Sequence, residues 1–247
     1  MRNIKIVLEY DGTDFAGFQS QPRRRTVQKV LEAALSRLFH SRMKIKAASG
    51  RTDAGVHAAE QVVNFYTSKT HTLHQIVRGL NTYLPEDVSV QSALEMPADF
   101  HARFHAKNKT YQYQIWDGTT RPALERKRVY HVPFRLDMTA MKRGAAVLKG
   151  SHDFKSFCSA SASSKLRSTV RHIYHLKVLR RKQLIVIQIM ADGFLQHMVR
   201  NIVGALIEVG RGKITTADLR HILRARDRKH RGMTVPPQGL SLLEVRY

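Results

Sequence analysis

The chain reads as an α+β protein with two sheets covered by helices on one face, and three features of its 247 residues lead toward that class. Segments with apolar residues at every second position interleave with segments whose apolar residues recur every third or fourth, so strands and helices alternate. The order of elements is similar on either side of residue 105, which divides the chain into regions 1–105 and 106–247. No apolar run approaches the roughly 18 residues of a spanning helix, so the apolar faces must cover one another. Antiparallel sheets covered by helices are the expected layers.

Each element has its own signal. Ile4, Ile6, Leu8 and Tyr10 alternate with Lys5, Val7 and Glu9, a strand that ends at the Asp11-Gly12 turn. Val27, Val30, Leu31, Ala34, Leu35 and Leu38 follow at helical spacing, with Thr26 as N-cap. KIKAASGRTDAGVHA predicts a short strand entering a glycine-bearing loop, and QVVNFYT the next strand. Leu73, Ile76, Val77, Leu80 and Leu84 mark a helix closed by Pro85, and VSVQSAL a further strand.

In the second half KTYQYQIW is a strand, TTRPALERKR a loop-rich insertion, and Asp137 to Lys149 a helix stopped by Gly150. HIYHLKVLRR and QLIVIQIMADG pair as a hairpin across Lys182-Gln183. A long helix carries the stripe Leu195, Met198, Ile202, Leu206 and Val209, a shorter one centres on Leu219, Ile222 and Leu223, and LSLLEVRY ends the chain as a strand. The Ser-rich stretch 157–171 and the basic stretch 224–239 read as loops.

Charge narrows the partners. Lys and Arg number 42 against 19 Asp and Glu, a formal net charge of +23, so self-repulsion favours binding a polyanion. The cluster Arg23 to Arg25, the pair Lys107 and Lys109, and the run Arg224 to Arg231 are candidates for RNA phosphates. The N-terminus alternates rather than forming a signal-peptide core, and the single Cys158 excludes an internal disulfide, so a reducing cytoplasm is expected and no membrane partner. Zincin, P-loop and dinucleotide-binding patterns are missing, and the shortage of acids disfavours a two-metal nuclease.

One stretch carries chemistry. SGRTDAGVHA, Ser49 to Ala58, places a single acid, Asp53, between Arg51 and glycines at 50 and 55. Those glycines permit torsions or close approaches that a side chain forbids, so the loop can present Asp53 outward, with Arg51 near enough to keep it ionised. It would then serve as nucleophile or base. Asp and Gly are also ordinary turn formers, and spacing alone does not separate the two roles.

The motifs GRTDAGVHA, YDGTDFAGFQSQP, NKTYQYQIW, GSHDFKSF, GFLQHMVRNIVGAL and PPQGLSLLEV, in this order along nearly the whole chain, closely resemble the tRNA pseudouridine synthase A family. The resemblance implies a fold of two ferredoxin-like α+β halves forming a central cleft, and a homodimeric isomerase that converts uridine to pseudouridine in the anticodon stem-loop of tRNA without cofactor or metal. It implies Asp53 as the catalytic aspartate, Tyr111 stacking on the target base, Arg200 pairing with the aspartate, Arg51 helping to displace the nucleotide, and Leu240 or Leu242 lining the pocket. Read from the residues alone, Tyr111 shares a strand face with Tyr113 and Ile115 and fits the core equally well. Arg200 lies opposite the apolar stripe of its helix, where a solvated arginine would also lie. His57 reads as loop architecture. A non-catalytic basic RNA-binding protein is the rival; a glycosidase or nuclease would instead release base or cut the strand.

Overall fold

The computed structural model describes residues 1–159, 168–227 and 232–247. Among them the elements run β1 (Arg2–Tyr10), α1 (Val27–Phe39), β2 (Ala47–Ala48), β3 (His57–Thr67), α2 (Leu73–Tyr83), β4 (Val88–Met96), β5 (Asn108–Asp117) and β6 (Tyr130–Val132). They continue with α3 (Met138–Val147), β7 (Gly150–Asp153), β8 (Val170–Arg181), β9 (Leu184–Ala191), α4 (Met198–Gly210), α5 (Thr216–Ala225) and β10 (Leu240–Arg246). The class is α+β. The chain divides into two compact units, Met1–Lys107 with Ser241–Tyr247, and Asn108–Leu240.

In the first unit the strand order is β4-β1-β3-β10, with β2 also on β3. β1 pairs antiparallel with both neighbours, Ile6 standing opposite Val63 on one side and Ala93 on the other. Ile4, Ile6 and Leu8 are fully buried, as the period of two requires, and α1 buries Val27, Leu31, Leu35 and Phe39, the last with its ring 5.9 Å from that of Phe65 on β3. The Thr26 hydroxyl accepts from the Lys29 N–H at the start of α1. Thr72 and Gln75 form a reciprocal capping box on α2, a T-x-x-Q signal readable in the sequence. The last strand joins parallel to β3 through Ser241 opposite His57 and Leu242 opposite Ala58.

The second unit has the order β5-β9-β8-β7, with β6 parallel to β5. β8 and β9 form the expected hairpin, and Lys182 takes a φ of 56° at its turn. Asp137 caps α3 by accepting from the Thr139 and Ala140 N–H groups. Two short strands, β6 and β7, are too brief for any alternation to register in the sequence. The Ser-rich stretch falls largely outside the described residues, as does part of the run Arg224 to Arg231; Phe157 and Cys158, at the edge of the former, are buried.

α4 departs from its expected form. His197 adopts a left-handed φ of 64° and begins the helix at Met198, so Leu195 belongs to the preceding turn rather than to the helical stripe. Every helical residue except Arg200 and Glu208 is buried. A helix buried on nearly every side is a core helix, so the stripe marks only part of what α4 buries. Among the described residues no helix is long and apolar enough to cross a membrane.

Candidate active site

In the first unit the loop Ser49–Ala58 is fixed against the segment Asp11–Phe18 by a set of short contacts. At its entry the Ser49 N–H donates to Val62 O at 2.7 Å, and the Ser49 hydroxyl donates to Gln61 Oε1 at 2.6 Å. Gln61 Nε2 donates back to Gly50 O at 3.1 Å. In the middle, Tyr10 Oη and Thr52 Oγ1 share a hydrogen bond of 2.7 Å inside the core, and the Phe18 N–H donates to Thr52 O at 3.1 Å. On the exit side the Gly55 N–H donates to Phe15 O at 3.2 Å, and the Val56 N–H closes a turn on Asp53 O at 3.2 Å.

Glycine makes this approach possible at two positions. A Cβ on Gly12 would lie 2.0 Å from the Val56 carbonyl oxygen, and one on Gly17, at a φ of +94°, would lie 2.8 Å from the Thr52 oxygen. No side chain fits there. His57, 1% exposed, places Nδ1 3.1 Å from both the Gly12 N–H and Asp11 Oδ1, so it ties the loop to the Asp11 turn. This is the architectural role expected for it.

Asp53 stands half-buried between fully anchored neighbours, Thr52 at 6% exposure and Val56 at 2%. The loop therefore holds a carboxylate by its backbone on both sides. Arg51 is exposed and has no hydrogen bond or ion pair among the described residues. The expected Arg51–Asp53 pairing is not made; the Arg51 side chain stands free of its own loop. Burial pushes the Tyr10 phenol up to about 12, opposed by its bonds to Thr52 and Gln61, so it remains a neutral strut at physiological pH.

Leu242 is fully buried and Leu240 nearly so. The pairing of Leu242 with Ala58 sets the terminal strand beside the exit of the Asp53 loop.

In the second unit Tyr111 is 8% exposed on β5, opposite Ile189 of β9, with its ring edge-on to Phe194 at a centroid distance of 5.0 Å. Tyr113 and Ile115, two and four residues on, are fully buried on the same face. Tyr113 Oη donates to Pro236 O at 2.8 Å; burial raises this phenol well above its ordinary range, and the positive charge of Arg200 opposes the rise. Arg200 therefore lies within electrostatic reach of the strand that carries Tyr111.

Arg200 is half-buried on α4, and its Nε–H donates to Val235 O at 2.8 Å. A strap of residues 233–236 holds this arrangement. Its Met233 carbonyl crosses α4 where Gly204 leaves room, Thr234 Oγ1 donates to Asn201 Oδ1 at 2.7 Å, and Pro236 receives the Tyr113 hydroxyl. The reading of Arg200 as a solvated helix arginine does not survive this. Of the basic groups, Arg25 is committed structurally: it forks onto Asp87 at 2.7 and 2.8 Å and lies 4.0 Å over the Phe15 ring.

What sequence reasoning missed is the brace. Gly12 reads as the turn that ends β1 and Gly17 only as part of a resembling motif, yet their segment supplies most of the loop's contacts. The paired small residues D-G-T and A-G-F, each next to a turn, are the signal that was present.

Comparison with known proteins places these residues in a family. A sequence profile described as tRNA pseudouridine synthase matches residues 6–105 and 145–247. The chain is 42% identical, over the full length of both proteins, to tRNA pseudouridine synthase A of Caldicellulosiruptor bescii. It is 44% identical to the protein of that name from Citrifermentans bemidjiense, across all of this chain and 98% of the relative. The Halalkalibacterium halodurans protein so named is 44% identical across 97% of this chain and 90% of its own. With most of its length matched, and relatives of this identity spanning it end to end, the chain belongs to the tRNA pseudouridine synthase family.

Proposed function

We propose that the chain isomerises uridine to pseudouridine in the anticodon stem-loop of tRNA, with Asp53 as its one catalytic carboxylate. The observation that carries the reading is the loop itself: in a chain with few acids, a half-buried carboxylate is fixed between two anchored residues on the stretch that resembles the family signature. The chemistry needs little more. Pseudouridine forms by breaking the bond from uracil N1 to ribose C1′, turning the base, and joining C5 to the same carbon. No atom is gained or lost, so the reaction requires no redox cofactor, ATP or metal.

In this reading Asp53 acts on the ribose, either by attack at C1′ or by removing a proton from the sugar to give an unsaturated intermediate. Tyr111 offers a flat ring for the extruded base, Arg200 a guanidinium that pairs with the carboxylate, and Leu242 apolar lining. Arg51, exposed and uncommitted, is suited to displacing the nucleotide from its stem. The detached base must be recaptured before water arrives, which distinguishes the site from a glycosidase with two carboxylates. Cytoplasmic location and assembly as a homodimer complete the proposal and rest on the family resemblance.

The test is incubation with unmodified tRNA followed by nucleoside mapping, with Asp53→Asn in parallel. Pseudouridine should appear with the wild type and vanish with Asp53→Asn, while tRNA affinity stays within a few-fold. Full activity of that variant would refute the assignment. Binding without pseudouridine in the wild type would favour a non-catalytic RNA-binding protein, and free uracil or cut strands a hydrolase. Sedimentation of the purified protein tests the dimer.

A further inference from the structure

The segment 97–107, at the end of the first unit's main run, is anchored as firmly as the Asp53 loop but presents an aromatic ring to solvent. Asn3 Nδ2 donates to Pro97 O and to Phe100 O, each at 2.9 Å. The Ala102 N–H donates to Asn64 Oδ1 at 3.1 Å, and Tyr247 Oη donates to Ala102 O at 2.7 Å. Asn3 and Asn64 are themselves buried, and Phe100 packs inward with its ring 5.1 Å from that of Tyr247. The backbone here has no freedom to hide what it carries.

It carries Phe104, 73% exposed, against 41% for Tyr83 and 42% for Tyr174, the next most exposed aromatics among the described residues. The ring is not loose. One face lies against the His101 imidazole, with centroids 4.3 Å apart and planes 25° from parallel. His101 Nδ1 in turn accepts from the Arg103 and Phe104 N–H groups at 3.2 and 3.3 Å. Partial burial, then the neighbouring Lys46, His105 and Arg103, hold His101 below its ordinary imidazole range, and Lys46 and Arg103 give the stack a positive rim. The Arg103 guanidinium sits 5.6 Å from the Phe104 centroid.

A rigid exposed aromatic costs solubility and contributes nothing to the core, so its arrangement needs another cause. A protein partner would be expected to meet an apolar patch with a polar rim of mixed sign; this patch is one ring, and its charged neighbours are cationic. Flat stacking surface beside cations matches a nucleobase with its phosphate. We propose that Phe104, stacked on His101, is a platform for an unpaired base of the tRNA substrate, with Arg103 and Lys46 taking the adjoining phosphates. The inference rests on the tRNA reading above, and it adds a base-binding position apart from the Asp53 loop.

The test measures tRNA affinity and isomerisation for Phe104→Ala, Phe104→Leu and Phe104→Trp beside the wild type. Loss of one stacked base should weaken binding about 5- to 150-fold in Phe104→Ala. Phe104→Leu should be nearly as weak, because it keeps apolar area without a π-face, and Phe104→Trp should bind at least as well as the wild type. In Phe104→Trp, tRNA should also quench an added emission component beyond that of Trp116. Unchanged affinity in Phe104→Ala, or full affinity in Phe104→Leu, overturns the proposal. So does a change of oligomeric state in Phe104→Ala with tRNA affinity intact, which would assign the ring to a second copy. If the wild type binds tRNA through Phe104 but makes no pseudouridine, the platform stands and the catalytic reading falls.

Discussion

The two units hold their candidate residues by different means. Asp53 sits on irregular backbone, and its position depends on contacts from a second loop: Gly12, Phe15, Gly17 and Phe18 all meet residues 52–56. Tyr111 and Arg200 sit on a central strand and a buried helix, where ladder pairing and core packing fix the backbone and the 233–236 strap takes up the Arg200 side chain. A loop gives a carboxylate freedom to project, and every such loop must then be immobilised by side chains whose only task is to do so. The first unit should therefore lose activity through changes that touch no substrate, whereas the second should tolerate comparable changes as stability losses.

A matched steric insult separates the two most sharply. Cβ atoms built on Gly12 and on Gly204 would each lie 2.0 Å from a carbonyl oxygen, of Val56 and of Met233 respectively. Both Gly12→Ala and Gly204→Ala should destabilise, by about 2–4 kcal/mol in chemical denaturation. At a temperature where both remain folded, Gly12→Ala should lower isomerisation at least about 100-fold, because the shift is delivered to the backbone beside Asp53. Gly204→Ala displaces the 233–236 strap but leaves α4 helical, and its loss should be about tenfold or less. Equal losses would show that the strap positions Arg200 as stringently as the brace positions Asp53.

A gentler pair follows from two buried phenols. Tyr10→Phe removes the 2.7 Å bond to Thr52, and Tyr113→Phe the 2.8 Å bond to Pro236. Each should cost about 1–2 kcal/mol of stability, since a polar group is left buried in either case. Only Tyr10→Phe should lower kcat more than it changes KM. The phenol also leaves a signature in alkali. With its folded pKa near 12 against about 10 unfolded, the folded state keeps its proton longer, so stability is intact below pH 10 and falls as pH rises toward 12. Denaturation of the wild type should steepen over that window by up to about 3 kcal/mol relative to Tyr10→Phe. Parallel curves would mean the Tyr10 hydroxyl is not confined as described.

How much of this was legible follows the same division. Regular elements announced themselves: the alternation at Ile4, Ile6 and Leu8, the cap at Thr26 and the hairpin across Lys182 are local facts, and those elements formed where their local chemistry asked. The stripe on α4 marked only part of what that helix buries, because burial is a tertiary property; Arg200 opposite the stripe said nothing about what would pack against the remaining faces. The return of residues 241–247 to the first unit was equally out of reach, since a strand's period does not name its partner. Asp53 stood out by residue type, its role came from resemblance, and the bonds that immobilise it join residues about forty positions apart, which no window-based pattern can reveal.

The smallest effect on stability should come from Arg51, and it sharpens the comparison from the opposite side. If the brace alone holds the loop, a side chain within the loop that joins none of its bonds is dispensable to the fold. Arg51→Ala should stay within about 0.5 kcal/mol of the wild type. Its exposed, uncommitted charge should instead matter to the substrate. tRNA affinity should fall, and the slope of log affinity against log salt should shrink by roughly one, the counterion share of a single phosphate contact. A destabilised Arg51→Ala with an unchanged salt slope would make the arginine part of the brace after all, and would move the boundary between positioning and recognition inside the loop.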